Sequence, residues 1–120
     1  MTTVKTGVKN FKIDRRADFP LRLIFKDANN TAVNLTGFTV AAQVWNDDRS
    51  TKFADFSVTY TDRANGTVDL KLSDTDTANF SLNLLRYDIL VTDPSGDKMY
   101  YLEGSIFVSQ GYTTWVHQIL

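Results

Sequence analysis

Apolar and polar residues alternate with a period of two along most of this chain, the pattern of half-buried β-strands. The clearest example follows the turn-forming residues 34–37. In residues 38–45, one face carries Phe38, Val40, Ala42 and Val44, and the other carries Thr39, Ala41, Gln43 and Trp45. We expect this strand to line the core with its first face. Its second face would present Trp45 outward, as a contact for a partner.

Comparable alternation predicts strands before and after this one. They fall within residues 11–14, 19–25, 56–61, 67–72 and 87–91, with a long strand over residues 98–109. Pro20 cannot donate to a ladder and therefore indicates a sheet edge or a strand start. Seven or so strands with turns every 8 to 12 residues are typical of a sandwich. The fold class predicted is all-β, an immunoglobulin-like antiparallel β-sandwich of about seven strands.

Local turn and cap signals refine this prediction. Asn65 and Gly66 are expected to supply positive φ angles in a tight hairpin. Ser73 followed three residues later by Asp76 predicts a capping box and one short helical turn near residues 74–80. Tyr87 is interpreted in two ways, either as a tyrosine corner or as a core tyrosine with a satisfied hydroxyl.

The 120 residues are expected to form one domain. Residues 1–10 form an N-terminal segment that can be flexible, residues 11–109 form the sandwich, and residues 110–120 form an apolar C-terminal arm. For this arm, the free energy gained by burying apolar side chains nearly equals the entropy cost of ordering the chain. We therefore expect it to be ordered only where it also forms hydrogen bonds with a β-strand. These come from its own sheet edge or from a neighbouring subunit, and both alternatives stay open. The arm residues predicted to make protein contacts, together with Trp45, are Tyr112, Trp115, Val116, Ile119 and Leu120.

Composition narrows the class of function. The 13 basic and 14 acidic residues give a net charge of −1, without the basic excess that nucleic-acid binding requires. Because the chain has no cysteine, disulfides, thiolate metal sites and a cysteine nucleophile are excluded. No apolar run suits secretion or a bilayer span, so we expect synthesis in a cytosol and no membrane partner. The sequons at Asn29, Asn34, Asn65 and Asn79 are interpreted as turn residues.

Candidate chemistry is sparse. His117 is the single histidine, and no serine or carboxylate is placed to form a relay with it. The carboxylates Asp47-Asp48, Asp74-x-Asp76 and Asp93-x-Ser95-x-Asp97 are explained by turns and caps, since the glycine and glutamate of a calcium loop are missing. We therefore predict no catalytic residue, no cofactor and no metal. The remaining candidates are the aromatic residues Trp45, Trp115, Tyr112 and one of Tyr100 and Tyr101, as interface anchors or as a platform for sugars.

Several motifs, in order, resemble those of one known family. They are Asp18-Phe19-Pro20-Leu21, Asn34-Leu35-Thr36-Gly37, Asp74 to Phe80, Arg86-Tyr87-Asp88-Ile89, Asp93-Pro94-Ser95-Gly96 and Leu102-Glu103-Gly104-Ser105-Ile106-Phe107-Val108. Over residues 11–109 the chain resembles the immunoglobulin-like β-sandwich of tailed-bacteriophage virion proteins. It is similar to the N-terminal domain of siphophage upper baseplate proteins.

This resemblance implies a structural module without catalysis. We expect it in a virion, after synthesis in the bacterial host cytoplasm, as an adaptor in the tail, baseplate or fibre-attachment region. Its partners would be other virion proteins and further copies of itself in a symmetric oligomer. Two alternatives remain, a capsid decoration protein and a carbohydrate-binding module for host glycans.

Overall fold

The computed structural model describes residues 7–113, and nearly all of its regular structure is β. Nine strands lie in this part of the chain: β1 (Gly7–Val8), β2 (Phe11–Asp14), β3 (Phe19–Ile24), β4 (Thr39–Trp45), β5 (Lys52–Asp55), β6 (Ser57–Asp62), β7 (Thr67–Leu72), β8 (Leu84–Thr92) and β9 (Lys98–Ser109). A 3-10 turn, Arg63–Asn65, joins β6 to β7, and helix α1 (Asp74–Ala78) follows β7. Neither helical segment in the described residues is long and apolar enough to cross a membrane.

The strands form two sheets that face each other across one hydrophobic core. The larger sheet has the order β1-β9-β8-β4-β5, with β2 also paired to β9, and the smaller sheet has the order β3-β7-β6. The core is filled from both sheets, by residues such as Val44, Ile89 and Ile106 from one and Leu70 and Leu72 from the other. The predicted all-β, immunoglobulin-like sandwich is confirmed.

Two short strands lie outside the predicted set. β1 and β5 each sit at an edge of the larger sheet, and their few residues carry little alternation for a sequence pattern to detect. β1 and β2 also pair with β9 in parallel, whereas the other described pairs are antiparallel. Gly7 and Val8 therefore belong to the sheet.

Strand β4 occupies the position that its alternation predicts. Val40, Ala42 and Val44 are buried, while Thr39 and Ala41 are exposed. It pairs with β8 along its full length and with β5 on its other side. The outward residues of β4, including Trp45, therefore lie beside the outward residues of β8.

Tyr87 forms a hydrogen bond to the short segment between β1 and β2. The Tyr87 hydroxyl donates to the backbone carbonyl of Lys9 at 2.6 Å, and its ring lies opposite Gly104 across the β8–β9 pair. A Cβ on Gly104 would lie 2.0 Å from that same carbonyl oxygen, so only glycine fits. Tyr87 is thus a buried tyrosine with a satisfied hydroxyl. It is not a tyrosine corner, because its partner is 78 residues away and not a few residues upstream.

The local turns combine confirmed predictions with one that is wrong. Ser73 and Asp76 form the predicted capping box of α1. The β6–β7 hairpin is present, but of the two predicted positive φ angles only that of Gly66, 75°, occurs. Asn65 instead ends the 3-10 turn, where its amide donates to the Asp62 carboxylate. The side chains of Asn65 and Asp62 therefore satisfy each other within a helical turn.

Candidate functional site

The outward face of the larger sheet carries an unusual mixture of side chains. Because β4, β8 and β9 are adjacent and in register, their outward residues form rows across the sheet. One row is Gln43, Asp88 and Glu103, with Trp45, Arg86 and Ser105 on one side of it and Ala41, Leu90 and Tyr100 on the other. Aromatic, acidic and basic groups thus meet at the middle of this face.

Except for Ser105, the residues of these rows line a cavity of about 360 Å³, which we call the outer groove. The strands β4, β8 and β9 form its floor, and Asn46, Asp47 and Arg49 from the β4–β5 connection form part of its wall. Arg49 has a left-handed φ of 62°, and its backbone N–H donates to the carbonyl of Asn46 at 3.0 Å. The turn therefore places the Arg49 side chain at the groove.

Trp45 stands at the end of the outer groove nearest this turn. Its side chain is half-buried, and its Nε1 donates to Gln43 Oε1 at 2.9 Å. The Arg49 guanidinium carbon lies 4.4 Å from the centroid of the Trp45 ring, a cation–π contact. Trp45 is therefore outward, as predicted, and one face of its ring is covered by a cation from the same chain.

Asp88 and Glu103 face each other directly across the β8–β9 pair. Burial raises the pKa of the Asp88 carboxyl, the negative charge of Glu103 raises this pKa further, and the charge of Arg49 opposes the shift. The ion pairs in the described residues are Arg22–Asp69 and Lys52–Asp55, which involve neither of these two carboxylates. Like charges placed opposite each other destabilise a sheet, so Asp88 and Glu103 repel each other, and the charge of Arg49 offsets this only in part.

Arg86 does not relieve this repulsion by a direct ion pair. Its Nη1 donates to the Ser105 hydroxyl oxygen at 2.8 Å, one row away from the two carboxylates. The Arg86 guanidinium therefore lines the outer groove, but this hydrogen bond goes to Ser105 and not to either carboxylate.

Tyr100 and Tyr101 point in opposite senses, as the alternation predicts. The Tyr101 ring packs inward against Phe25, with centroids 4.2 Å apart. Tyr100 is 56% exposed and lines both the outer groove and a second cavity of about 250 Å³ beside β1. Glu103 also lines both cavities, so these two residues form the ridge between them.

The predicted interface residues divide into three groups. Trp45 lies in the outer groove. Tyr112 follows β9 and is fully exposed, at 103% of its reference area. Trp115, Val116, Ile119 and Leu120 lie outside the described residues, as does His117.

The carboxylate motifs serve turns and caps, as expected. Asp48 accepts from the Ser50 backbone, Asp76 completes the capping box, and the buried Asp93 accepts from the backbone N–H groups of Ser95 and Asp97. Within residues 7–113, no three histidine or carboxylate side chains are grouped as metal ligands would be. The residues that sequence reasoning missed are Asp88, Glu103, Arg49 and Arg86. Alternation places Asp88, Glu103 and Arg86 outward, but which of them meet depends on the strand register, and the position of Arg49 depends on its turn.

Comparisons with known proteins add little to this description. No family model matches the sequence, and no curated protein matches it. Among solved structures, the chain is similar to one described as the crystal structure of the Lin-41 filamin domain, with 19% identity and a TM-score of 0.47. That similarity covers 83% of this chain and 84% of the other. A likeness of this degree says nothing about function.

Proposed function

We propose that this protein is a non-enzymatic assembly module that binds other proteins through the outward face of its larger sheet. The observation that supports this most directly is the outer groove, where Trp45 and the exposed Tyr100 flank polar side chains. Tryptophan and tyrosine are enriched among the residues that dominate binding energy at protein interfaces. Neither ring belongs to the hydrophobic core, so the Tyr100 ring and the face of Trp45 that Arg49 does not cover can contact a partner.

The opposite side of the sandwich provides a contrast. On the outward face of the smaller sheet, Arg22 donates two hydrogen bonds to Asp69, at 2.8 and 3.0 Å, and Thr61 donates to the same carboxylate. The charges of Arg22 and Asp69 on that face are therefore satisfied by each other. The unpaired carboxylates and aromatic rings on the larger sheet favour that face as the binding surface.

The proposal extends to the setting that the family resemblance implies. In that setting the protein joins the tail, baseplate or fibre-attachment region of a tailed-phage virion, as a symmetric oligomer or as an adaptor between other virion proteins. A capsid decoration role is the alternative within the same class. Quantitative mass spectrometry of purified particles separates the two, because a decoration protein matches the capsid subunits in abundance and a tail protein is far scarcer.

Incorporation into particles tests the binding face itself. The variant Tyr100→Ala should fold, since its side chain is more than half exposed, but should enter particles poorly. The control is Ile24→Ala on the smaller sheet, which removes a side chain of similar exposure, 48%, and should incorporate normally. Equal incorporation of both variants, with unchanged melting temperatures, would argue against the proposed face.

A carbohydrate-binding function is less well supported by the same groove. Sugar rings stack on an open aromatic face, and Arg49 covers one face of Trp45. Glycan-array binding that disappears in Trp45→Ala would replace the assembly proposal with this one. A glycan array without any signal would exclude the carbohydrate-binding function.

A further inference from the structure

We propose that the ridge formed by Tyr100 and Glu103 receives a lysine or arginine side chain from a partner protein. This inference deepens the proposed function and rests on it, because it names the chemistry that the partner must present. It follows from the geometry of the two carboxylates, from a cation that the groove already holds, and from the space beside Tyr100.

Asp88 and Glu103 repel each other across the β8–β9 pair. These residues are direct cross-strand partners on β8 and β9, and no ion pair within the described residues neutralises either one. Burial and the neighbouring Glu103 both raise the pKa of Asp88, which indicates that its ionised form lacks full compensation. A positive charge placed between them would remove this cost.

The outer groove already holds one cationic side chain against an aromatic ring. The Arg49 guanidinium lies over the Trp45 ring at 4.4 Å, and its charge lowers the pKa of Asp88. One half of the groove thus combines an aromatic face, a carboxylate and a basic side chain. The combination is the chemistry by which proteins recognise ammonium and guanidinium groups.

The other half of the outer groove also has an aromatic ring and a carboxylate. Tyr100 supplies the aromatic ring and Glu103 supplies the carboxylate, and both lie on β9, two strands away from Trp45 on β4. Two strand spacings separate the halves by about 10 Å. Arg49 already lies against Trp45, Arg86 is bonded to Ser105, and neither arginine forms an ion pair with Glu103 in the described residues.

The Tyr100 side chain is accessible to a partner. Tyr100 is 56% exposed, and it borders both the outer groove and the 250 Å³ cavity beside Gly7 and Val8. A long basic side chain can therefore lie along the ridge, with its methylene stem against the Tyr100 ring and Val8. Val8 is itself a 74% exposed apolar residue, which suits contact with such a stem.

The test uses the full chain labelled with nitrogen-15 and two matched peptides, acetyl-Gly-Lys-Gly-amide and its norleucine analogue, which keeps the stem and lacks the ammonium. The lysine peptide should cause saturable NMR shifts at the Tyr100 and Glu103 amides, and the norleucine peptide should not. Raising the ionic strength from about 0.1 M to about 1 M, which shortens the Debye length from about 10 Å to about 3 Å, should weaken the lysine complex.

Variants assign the binding to the ridge. Glu103→Gln should weaken the lysine peptide by up to about fivefold, the range for an exposed ion pair. Tyr100→Ala should weaken it comparably, while Tyr100→Phe, which keeps the ring face, should bind as the wild type does. The control is Asp14→Asn, which removes an exposed carboxylate from β2 at the far end of the same sheet and should change nothing.

The outcomes distinguish this inference from the proposed function. Equal shifts with both peptides, shifts produced instead by a methyl glycoside, or no shifts at all would overturn the cation site. If Glu103→Gln enters particles normally and Tyr100→Ala does not, the cation site fails and the assembly face stands. If both variants enter particles normally, the assembly face fails as well.

Discussion

Single residues in this protein were predictable where alternation alone decides their environment. Val40, Ala42 and Val44 are buried and Trp45 faces outward, as the period-two pattern of β4 requires. The neighbours of Trp45 were not predictable in the same way. Asp88 meets Glu103 only because β8 and β9 pair in one particular register, and Arg49 reaches Trp45 only because of a left-handed turn residue.

The charge state of Asp88 yields the first prediction. A carboxyl whose pKa is raised by folding binds protons more tightly in the native state, so native stability falls as pH rises above the unfolded pKa of about 3.9. At pH 7, Asp88→Asn should therefore give a free energy of unfolding equal to or above that of the wild type. This advantage should vanish as pH falls below about 4 in urea titrations, because the carboxyl is then protonated in both states.

Asp69 is the control with the opposite sign. Hydrogen bonds from Arg22 and Thr61 lower the pKa of its carboxyl to about 2, so its contribution is present above pH about 4 and is lost as pH falls toward 2. Asp69→Asn should lower stability at pH 7. A loss of stability in Asp88→Asn as well would contradict the view that the outer groove contains an unrelieved charge.

Gly104 yields the second prediction, which concerns close packing. An added methyl group would lie 2.0 Å from the Lys9 carbonyl oxygen and would push β1 and β2 away from β9. Gly104→Ala should cost about 1–3 kcal/mol or more in urea unfolding. Gly7→Ala is the matched control, since its nearest contact would be an ordinary 3.8 Å, and it should be nearly neutral. Equal free energies of unfolding for the two variants would show that close packing at Gly104 does not hold the segment between β1 and β2 in place.

Whole elements were predictable where local sequence specifies them. The capping box of α1 and the long strand β9 depend on neighbouring residues, and both were predicted. β1 and β5 were missed, since strands of two and four residues at sheet edges are stabilised by their partners and not by their own pattern. The 3-10 turn was missed because the Asp62 side chain accepts from Asn65 and favours a helical turn there.

The third prediction concerns helix α1, which is hydrogen-bonded to the connection between β2 and β3. The buried Thr77 hydroxyl donates to the Ala17 carbonyl at 2.8 Å and accepts from the Ala17 N–H at 3.1 Å. Thr77→Val keeps the shape but leaves both backbone groups unsatisfied, so it should cost about 1–3 kcal/mol in urea unfolding. Thr75→Val, at an exposed position of the same helix, should change stability by less than about 0.5 kcal/mol. Comparable losses of unfolding free energy in both variants would contradict a specific stabilising role of the Thr77 hydrogen bonds.

The molecule as a whole has two unlike outer faces. The smaller sheet presents a satisfied polar surface around Arg22 and Asp69, and the larger sheet presents the outer groove. Sequence alone predicted the sandwich and the outward Trp45, but not which face would carry unpaired charge, since that depends on the order of strands in the sheets. The asymmetry is the basis for assigning assembly to the larger sheet.

Site-specific photo-crosslinking during particle assembly tests this assignment most directly. A benzoylphenylalanine residue is placed either at position 100, on the larger sheet, or at position 59, on the outward face of the smaller sheet, where Tyr100 and Thr59 are both exposed. We expect covalent adducts with a partner protein from position 100 and none from position 59. Adducts from position 59 alone, or in equal yield from both positions, would contradict it.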